Sequence, residues 1–88
     1  MADPTPAVTV YWRPACPYCI LLRRGLRRAG VATDEVNIWH DPDAAATVRR
    51  VADGNETVPT VRVGDRYLVN PSASEVVATL AELADGPR

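Results

Sequence analysis

Lysine is absent from this sequence: all ten basic residues among its 88 are arginine. Phenylalanine is absent too, so Tyr11, Tyr18, Tyr67, Trp12 and Trp39 supply all the aromatic surface. Neither sign of charge dominates. The formal net charge is −1, which gives no support to nucleic acid or a membrane surface as partner. No apolar run approaches the roughly 18 residues that a membrane helix needs. The start, Met1-Ala2-Asp3-Pro4-Thr5-Pro6, lacks the basic and apolar stretches of a secretion signal. The expected location is therefore the cytoplasm, where stable structural disulfides are rare. The lack of lysine beside abundant alanine reads as the signature of a GC-rich genome.

What is present is enough for one domain, residues 1–88, of ordinary apolar content at 47%. Residues 1–6 read as a loose lead-in with two prolines. Val8-Thr9-Val10-Tyr11-Trp12 is β-branched and aromatic and predicts a strand. After the loop Arg13-Pro14-Ala15, Cys16 reads as a helix cap, with Pro17 at the first helical position, where a missing N–H costs nothing. Leu22, Leu26 and Ala29 recur at helical spacing, and Gly30 supplies the stop. A second strand falls within Val31 to Ile38, with Val36 and Ile38 alternating against Asn37. Asp41-Pro42 opens a second helix with Ala44, Ala45, Val48 and Val51 inward, ending at Gly54-Asn55. Thr60–Val63, a Gly64-Asp65 turn and Arg66–Val69 read as a hairpin. A last helix starts between Asn70 and Ser72. Either Asn70 caps it, or Ser72 and Glu75 form a capping box; Val76, Val77, Leu80 and Leu83 form its apolar stripe. The order βαβαββα, with the first two strands parallel through a right-handed crossover, predicts an α/β protein. Its sheet is mixed and four-stranded, and three helices cover both faces. That arrangement is thioredoxin-like.

Two cysteines separated by two residues, after a strand and at a helix start, read as a redox motif. At Cys16 several helix N–H groups lack intrahelical partners and the helix dipole is positive; both favour a thiolate. Such positions lower a cysteine pKa from about 8.5 to roughly 3.5–7.5. Arg13 adds positive charge nearby. Cys19, one turn further in, is expected to be more buried and less ionised. The division of labour follows: Cys16 attacks a disulfide and Cys19 resolves the mixed disulfide. Three other readings remain open on the residues alone. One is a zinc site, for which His40 and carboxylates are the only spare ligands. The others are an inert buried pair and an iron–sulfur cluster shared between two chains through Cys16.

Thr57-Val58-Pro59-Thr60 is the second constellation. Proline just before a strand leaves the ladder intact, and an X-Pro bond can be cis. In a thioredoxin-like fold this loop faces the first helix start. Val58 would then offer its backbone N–H and C=O to an extended thiol substrate, beside Cys16.

The chain resembles glutaredoxins, and within them the mycoredoxin branch. The resemblance rests on Tyr11-Trp12-Arg13-Pro14-Ala15-Cys16-Pro17-Tyr18-Cys19, on Thr57-Val58-Pro59-Thr60-Val61 and on Asn70-Pro71-Ser72-Ala73-Ser74-Glu75-Val76. It implies a nucleophilic Cys16 and a resolving Cys19. It implies a thiol-binding site made by Arg13, Tyr18, Thr57, Val58, Pro59, Asn70, Pro71 and Ser72. Glutathione-using glutaredoxins carry a Gly-Gly stretch with acidic residues before the last helix. Asn70-Pro71-Ser72 stands there instead, the form of the branch that uses mycothiol. Redoxins fed by thioredoxin reductase, which serve enzymes such as ribonucleotide reductase, carry a Trp-Ser-Gly-Phe-type segment where this chain has Tyr67-Leu68-Val69-Asn70.

The resemblance implies a thiol–disulfide oxidoreductase that reduces mixed disulfides between proteins and a low-molecular-weight thiol, mycothiol before glutathione. No tightly bound cofactor or metal is expected. The expected partners are mycothiolated proteins and, upstream, a flavoprotein disulfide reductase; the protein is expected to be a monomer. Arg23, Arg24, Arg27 and Arg28 form a basic helix surface, read as a solvated face with an acidic partner as the alternative. Arg49 and Arg50 lie near the end of the second helix. Gly25 inside a helix costs about 1 kcal/mol against alanine and points to close packing.

Overall fold

Val8–Trp12 forms strand β1 in a computed structural model that describes residues 6–85. Most of the lead-in expected over residues 1–6 thus lies outside the described residues. Helix α1 follows at Pro17–Arg28, β2 at Asp34–Asn37, helix α2 at Pro42–Val51, β3 at Thr60–Val63, β4 at Arg66–Val69 and helix α3 at Ala73–Asp85. The sheet has four strands in the order β2-β1-β3-β4. β1 and β2 are parallel, with Tyr11 opposite Val36. β1 and β3 are antiparallel, with Tyr11 opposite Thr60, and β3 and β4 form the expected hairpin.

Period-2 alternation sends neighbours in β1 to opposite faces. Val8 and Val10 join Leu22, Leu26, Val61, Val63 and Val76 in a core between the sheet, α1 and α3. Tyr11 joins Ile38, Ala44, Ala45 and Val48 in a second core under α2. Burying each valine, leucine or isoleucine of these cores contributes about 1.5–3 kcal/mol.

The stops follow from local chemistry. Gly30, at φ 75°, ends α1: its N–H donates to the Arg27 carbonyl at 3.1 Å, and the Val31 N–H reaches back to Leu26 at 3.0 Å. This is a Schellman arrangement. It turns Ala29 outward, so the inner stripe of α1 is Cys19, Leu22 and Leu26, not Leu22, Leu26 and Ala29. β2 stops at Asn37 because that side chain accepts from the Trp39 N–H at 2.9 Å and opens a short 3-10 turn, Ile38–His40. Ile38 is buried from that turn rather than by strand alternation.

At α3 the capping box is the alternative that forms. The Glu75 N–H donates to Ser72 Oγ, and the Ser72 N–H donates to Glu75 Oε1, both at 3.1 Å. Val77 is 40% exposed. It is adjacent to the buried Val76, and a helix turning about 100° per residue cannot face both inward. The four-arginine surface on α1 is uneven. Arg23 pairs with Glu35 at 2.7 Å and stacks 4.6 Å from the Trp12 ring, while Arg24, Arg27 and Arg28 are exposed.

Candidate active site

The backbone delivers Cys16 to the helix start in a specific way. Ala15 takes φ 61°, a left-handed conformation that costs an L-residue roughly 1–2 kcal/mol. The chain then extends through Cys16, at φ −108° and ψ 104°, into Pro17. Cys16 is thereby the N-cap residue. Its sulfur accepts the Cys19 N–H at 3.2 Å, satisfying one of the orphan donors of the first turn. The Cys16 thiol is also 3.8 Å from the Val58 carbonyl, to which it can donate.

Both cysteines are free and buried; Cys16 is 4% exposed and Cys19 1%. Burial pushes the Cys19 thiol up to about 12, and its hydrogen bond with Cys16 adds to the rise. A backbone hydrogen bond at Arg13 and the charge of that guanidinium act in the opposite sense. At neutral pH Cys19 is a thiol.

The Thr57-Val58-Pro59 loop meets the dithiol across the fold. The Val58–Pro59 bond is cis. Pro59 is buried, while Thr57 and Val58 are half-buried. The Thr57 carbonyl is held by the Thr60 hydroxyl at 2.7 Å. The Pro59 carbonyl accepts the Asn70 N–H at 2.8 Å, with Asn70 in the left-handed region at φ 52°.

A groove of about 340 Å³ lies beside this loop. One wall is Tyr18, Leu21 and Leu22 of α1; the other is Asn70, Pro71, Ser72, Ala73 and Glu75. Tyr18 is 66% exposed and Leu21 60%, an apolar surface open to solvent. Of the residues singled out in the sequence, Tyr18, Asn70, Pro71 and Ser72 share this groove, and Val58 meets Cys16 directly. Arg13 is exposed and bears on Cys19 through its charge. Arg49 is engaged elsewhere, with Glu56 at 2.6 Å, and His40 and Trp39 are exposed outside the groove. Sequence reading missed Leu21, Leu22 and Glu75 as groove residues. The two leucines stand one turn beyond Tyr18, and Glu75 had a sufficient explanation as a cap. A larger cavity of about 450 Å³, lined by Pro6, Val8, Gly30–Asp34 and Leu80 among others, includes none of the predicted site residues. Among the described residues no group of three or more histidine, cysteine or acidic side chains gathers to hold a metal ion. Among them, too, no helix is long and apolar enough to cross a membrane.

Comparison with known proteins agrees with this geometry. A family model described as Glutaredoxin matches residues 8–68. A protein of Mycobacterium tuberculosis described as a glutaredoxin is 46% identical over 81 residues, covering 91% of this chain and 96% of its own length. Mycoredoxin 1 of Corynebacterium glutamicum is 42% identical over 78 residues, covering 88% and 96%. Among solved structures, the glutaredoxin-like NrdH-redoxin of Escherichia coli superposes with a TM-score of 0.71 at 25% identity, covering 82% of this chain and 92% of that one. The glutaredoxin of Brucella melitensis gives 0.67 at 24% identity, covering 94% and 87%, and speaks to the fold alone.

Proposed function

This chain belongs to the glutaredoxin family, a family of thiol–disulfide oxidoreductases, and from that premise we propose that it reduces mixed disulfides between proteins and mycothiol. The observation that carries the reading is the join of two features. Cys16 caps α1 against the Val58 carbonyl, and the groove walled by Tyr18 and Asn70–Ser72 begins two residues along from it.

In the proposed reaction the Cys16 thiolate attacks the mycothiol sulfur of a protein–mycothiol disulfide. The old S–S bond breaks, the protein sulfur leaves and takes up a proton, and a Cys16–mycothiol disulfide forms. A second mycothiol then attacks Cys16-bound mycothiol, releasing mycothiol disulfide and returning Cys16 as a thiol. Alternatively, Cys19 attacks Cys16, releasing mycothiol and leaving the Cys16–Cys19 disulfide for reduction. A flavoprotein disulfide reductase upstream would supply the electrons. The high pKa of Cys19 supports its role as the second rather than the first nucleophile, since the thiolate is the attacking species. Arg13 and the Thr57-Val58-Pro59 loop would hold the thiol's backbone-like portion. On this reading the protein works in the cytoplasm as a monomer.

Two features favour a neutral, hydroxyl-rich thiol over glutathione. The capping box already occupies the Ser72 and Glu75 N–H groups, two donors that a helix start would otherwise offer to a carboxylate. Glu75 also places its own negative charge at the groove. Mycothiol ends in a sugar and inositol rather than a charged glutamyl group. The test is a single assay of the purified protein on matched mixed disulfides, with mycothiol, glutathione or thioredoxin reductase supplied separately. Turnover with mycothiol alone is expected. Turnover only with thioredoxin reductase would replace this reading with the redoxin one, which the NrdH-redoxin likeness keeps in view.

A further inference from the structure

The mid-helix glycine of α1 has no role in the chemistry above, and its position is costly. Glycine inside a helix is less favourable than alanine by about 1 kcal/mol. Yet a Cβ built on Gly25 would lie 2.7 Å from the Cβ of Ala73, the first residue of α3. Both atoms are attached directly to backbone, so neither can swing aside. Restoring ordinary contact, at 3.4 Å or more, would require one helix to move against the other.

One side of that contact, Ala73, lines the groove. Leu21 and Leu22 stand three and four residues after Tyr18, and Gly25 four and three residues after them, so the four lie along one side of α1. Tyr18, Leu21 and Leu22 line one wall, and Asn70 to Ala73 line the other. Ala73 is joined covalently to Ser72, whose side chain is locked by the capping box. Moving Ala73 therefore moves Ser72, and with it the opposing wall.

We infer that Gly25 is a positioning residue that sets the width of the groove, and through it the fit of the low-molecular-weight thiol, by letting the start of α3 close onto α1. This inference rests on the proposed use of the groove by such a thiol. The Cys16 sulfur and its cap bond from the Cys19 N–H both belong to the first turn of α1, so they travel together when that helix shifts against α3.

The experiment compares four proteins: wild type, Gly25→Ala, Ala73→Gly and the double variant Gly25→Ala/Ala73→Gly, which moves the Cβ from one side of the contact to the other. Each is assayed for kcat and KM on a peptide–mycothiol mixed disulfide, for rate on a small symmetric aryl disulfide, and for thermal stability. In Gly25→Ala, KM for the mycothiol adduct should rise about tenfold, less than the roughly 100-fold that a 1 Å misplacement can cost. Its kcat and its rate on the aryl disulfide should stay within about twofold of wild type. The double variant should return KM to the wild-type value. A folded Gly25→Ala protein with unchanged KM overturns the inference. So does a folded double variant whose KM remains raised, and that arm decides the matter even where Gly25→Ala does not fold. Failure of wild type to use the mycothiol adduct would instead overturn the proposed function. The same four proteins assayed on a glutathione adduct would then test Gly25 alone.

Discussion

The Asn70 N–H donates to the Pro59 carbonyl at 2.8 Å. The loop that meets Cys16 and the segment that walls the groove are therefore one unit, although eleven positions separate them in the chain. The end of β4 pairs with the start of β3, Val69 opposite Thr60, and this bond continues that ladder by one step.

Cys16→Ser should lower reductase activity by on the order of 10³-fold or more, the scale for removing a nucleophile. Cys19→Ser should keep measurable activity on peptide–mycothiol disulfides while losing activity that needs the Cys16–Cys19 disulfide. Steady-state rates with the two substrate types check both. A Cys16→Ser protein with full activity would remove Cys16 from the mechanism.

Stability should fall at alkaline pH. The Cys19 thiol is raised from its ordinary 9.0 to about 12 in the folded chain, so the folded state holds the proton that the unfolded state releases. That stabilisation is complete below about pH 9 and is lost as pH rises toward about 12. Tyr11, raised by burial first and by Tyr67 next, acts in the same direction above pH 10.0. Urea unfolding across this range should show the decline, and Cys19→Ala should flatten it in part, leaving the tyrosine contribution. An equally steep decline in Cys19→Ala would exclude Cys19 as a source.

Two left-handed residues flank the site and should respond differently to glycine. Ala15, at φ 61°, has no side-chain group to compensate the conformation. Ala15→Gly should raise stability by about 0.5–1 kcal/mol, or a few degrees in Tm. Asn70, at φ 52°, is a residue type that tolerates this region, so Asn70→Gly should be near neutral and Asn70→Val should destabilise by roughly 1–2 kcal/mol. Calorimetry of the three variants gives the comparison.

The capping box separates stability from selectivity. Ser72→Ala should cost about 1 kcal/mol. Glu75→Gln keeps an oxygen to accept the Ser72 N–H and removes the charge. It should leave Tm nearly unchanged and improve turnover of glutathione adducts roughly twofold to fivefold, the scale of an exposed charge interaction. Equal changes for mycothiol and glutathione adducts would show that the charge does not discriminate.

Most of the fold was legible because its signals are local. The β-branched run Val8–Trp12, Pro17 after a capping residue, Gly30 after the last turn of α1 and the Gly64 turn each act within a few residues. The misreadings have local causes as well. Asn37 bonds its own backbone neighbour and ends β2 early, so the Val36–Ile38 alternation looked like strand when Ile38 had already turned. Ala29 kept helical spacing but fell on the cap. The site was legible only in pieces. Nothing in the residues between Cys16 and Val58 records that they meet at 3.8 Å; the sheet order brings them together, and the thioredoxin-like element order supplied the expectation. Glu75 at the groove and the Gly25–Ala73 contact depend on how α3 lies across α1, which no spacing within either helix specifies.

The helix that carries the dithiol is seated in the layer built on Val10, Leu22 and Val61, whereas Val58 leans on the layer built on Tyr11, Ile38 and Val48. The gap between the Cys16 sulfur and the Val58 carbonyl thus behaves like that of a caliper, set by a frame rather than by its tips. Slow drift in buried side chains of either layer has the same access to the reaction as a substitution at the sulfur's edge. Two cores, of whose buried members only Leu22 also lines the groove, hold a shared veto over the enzyme's tolerance to sequence change.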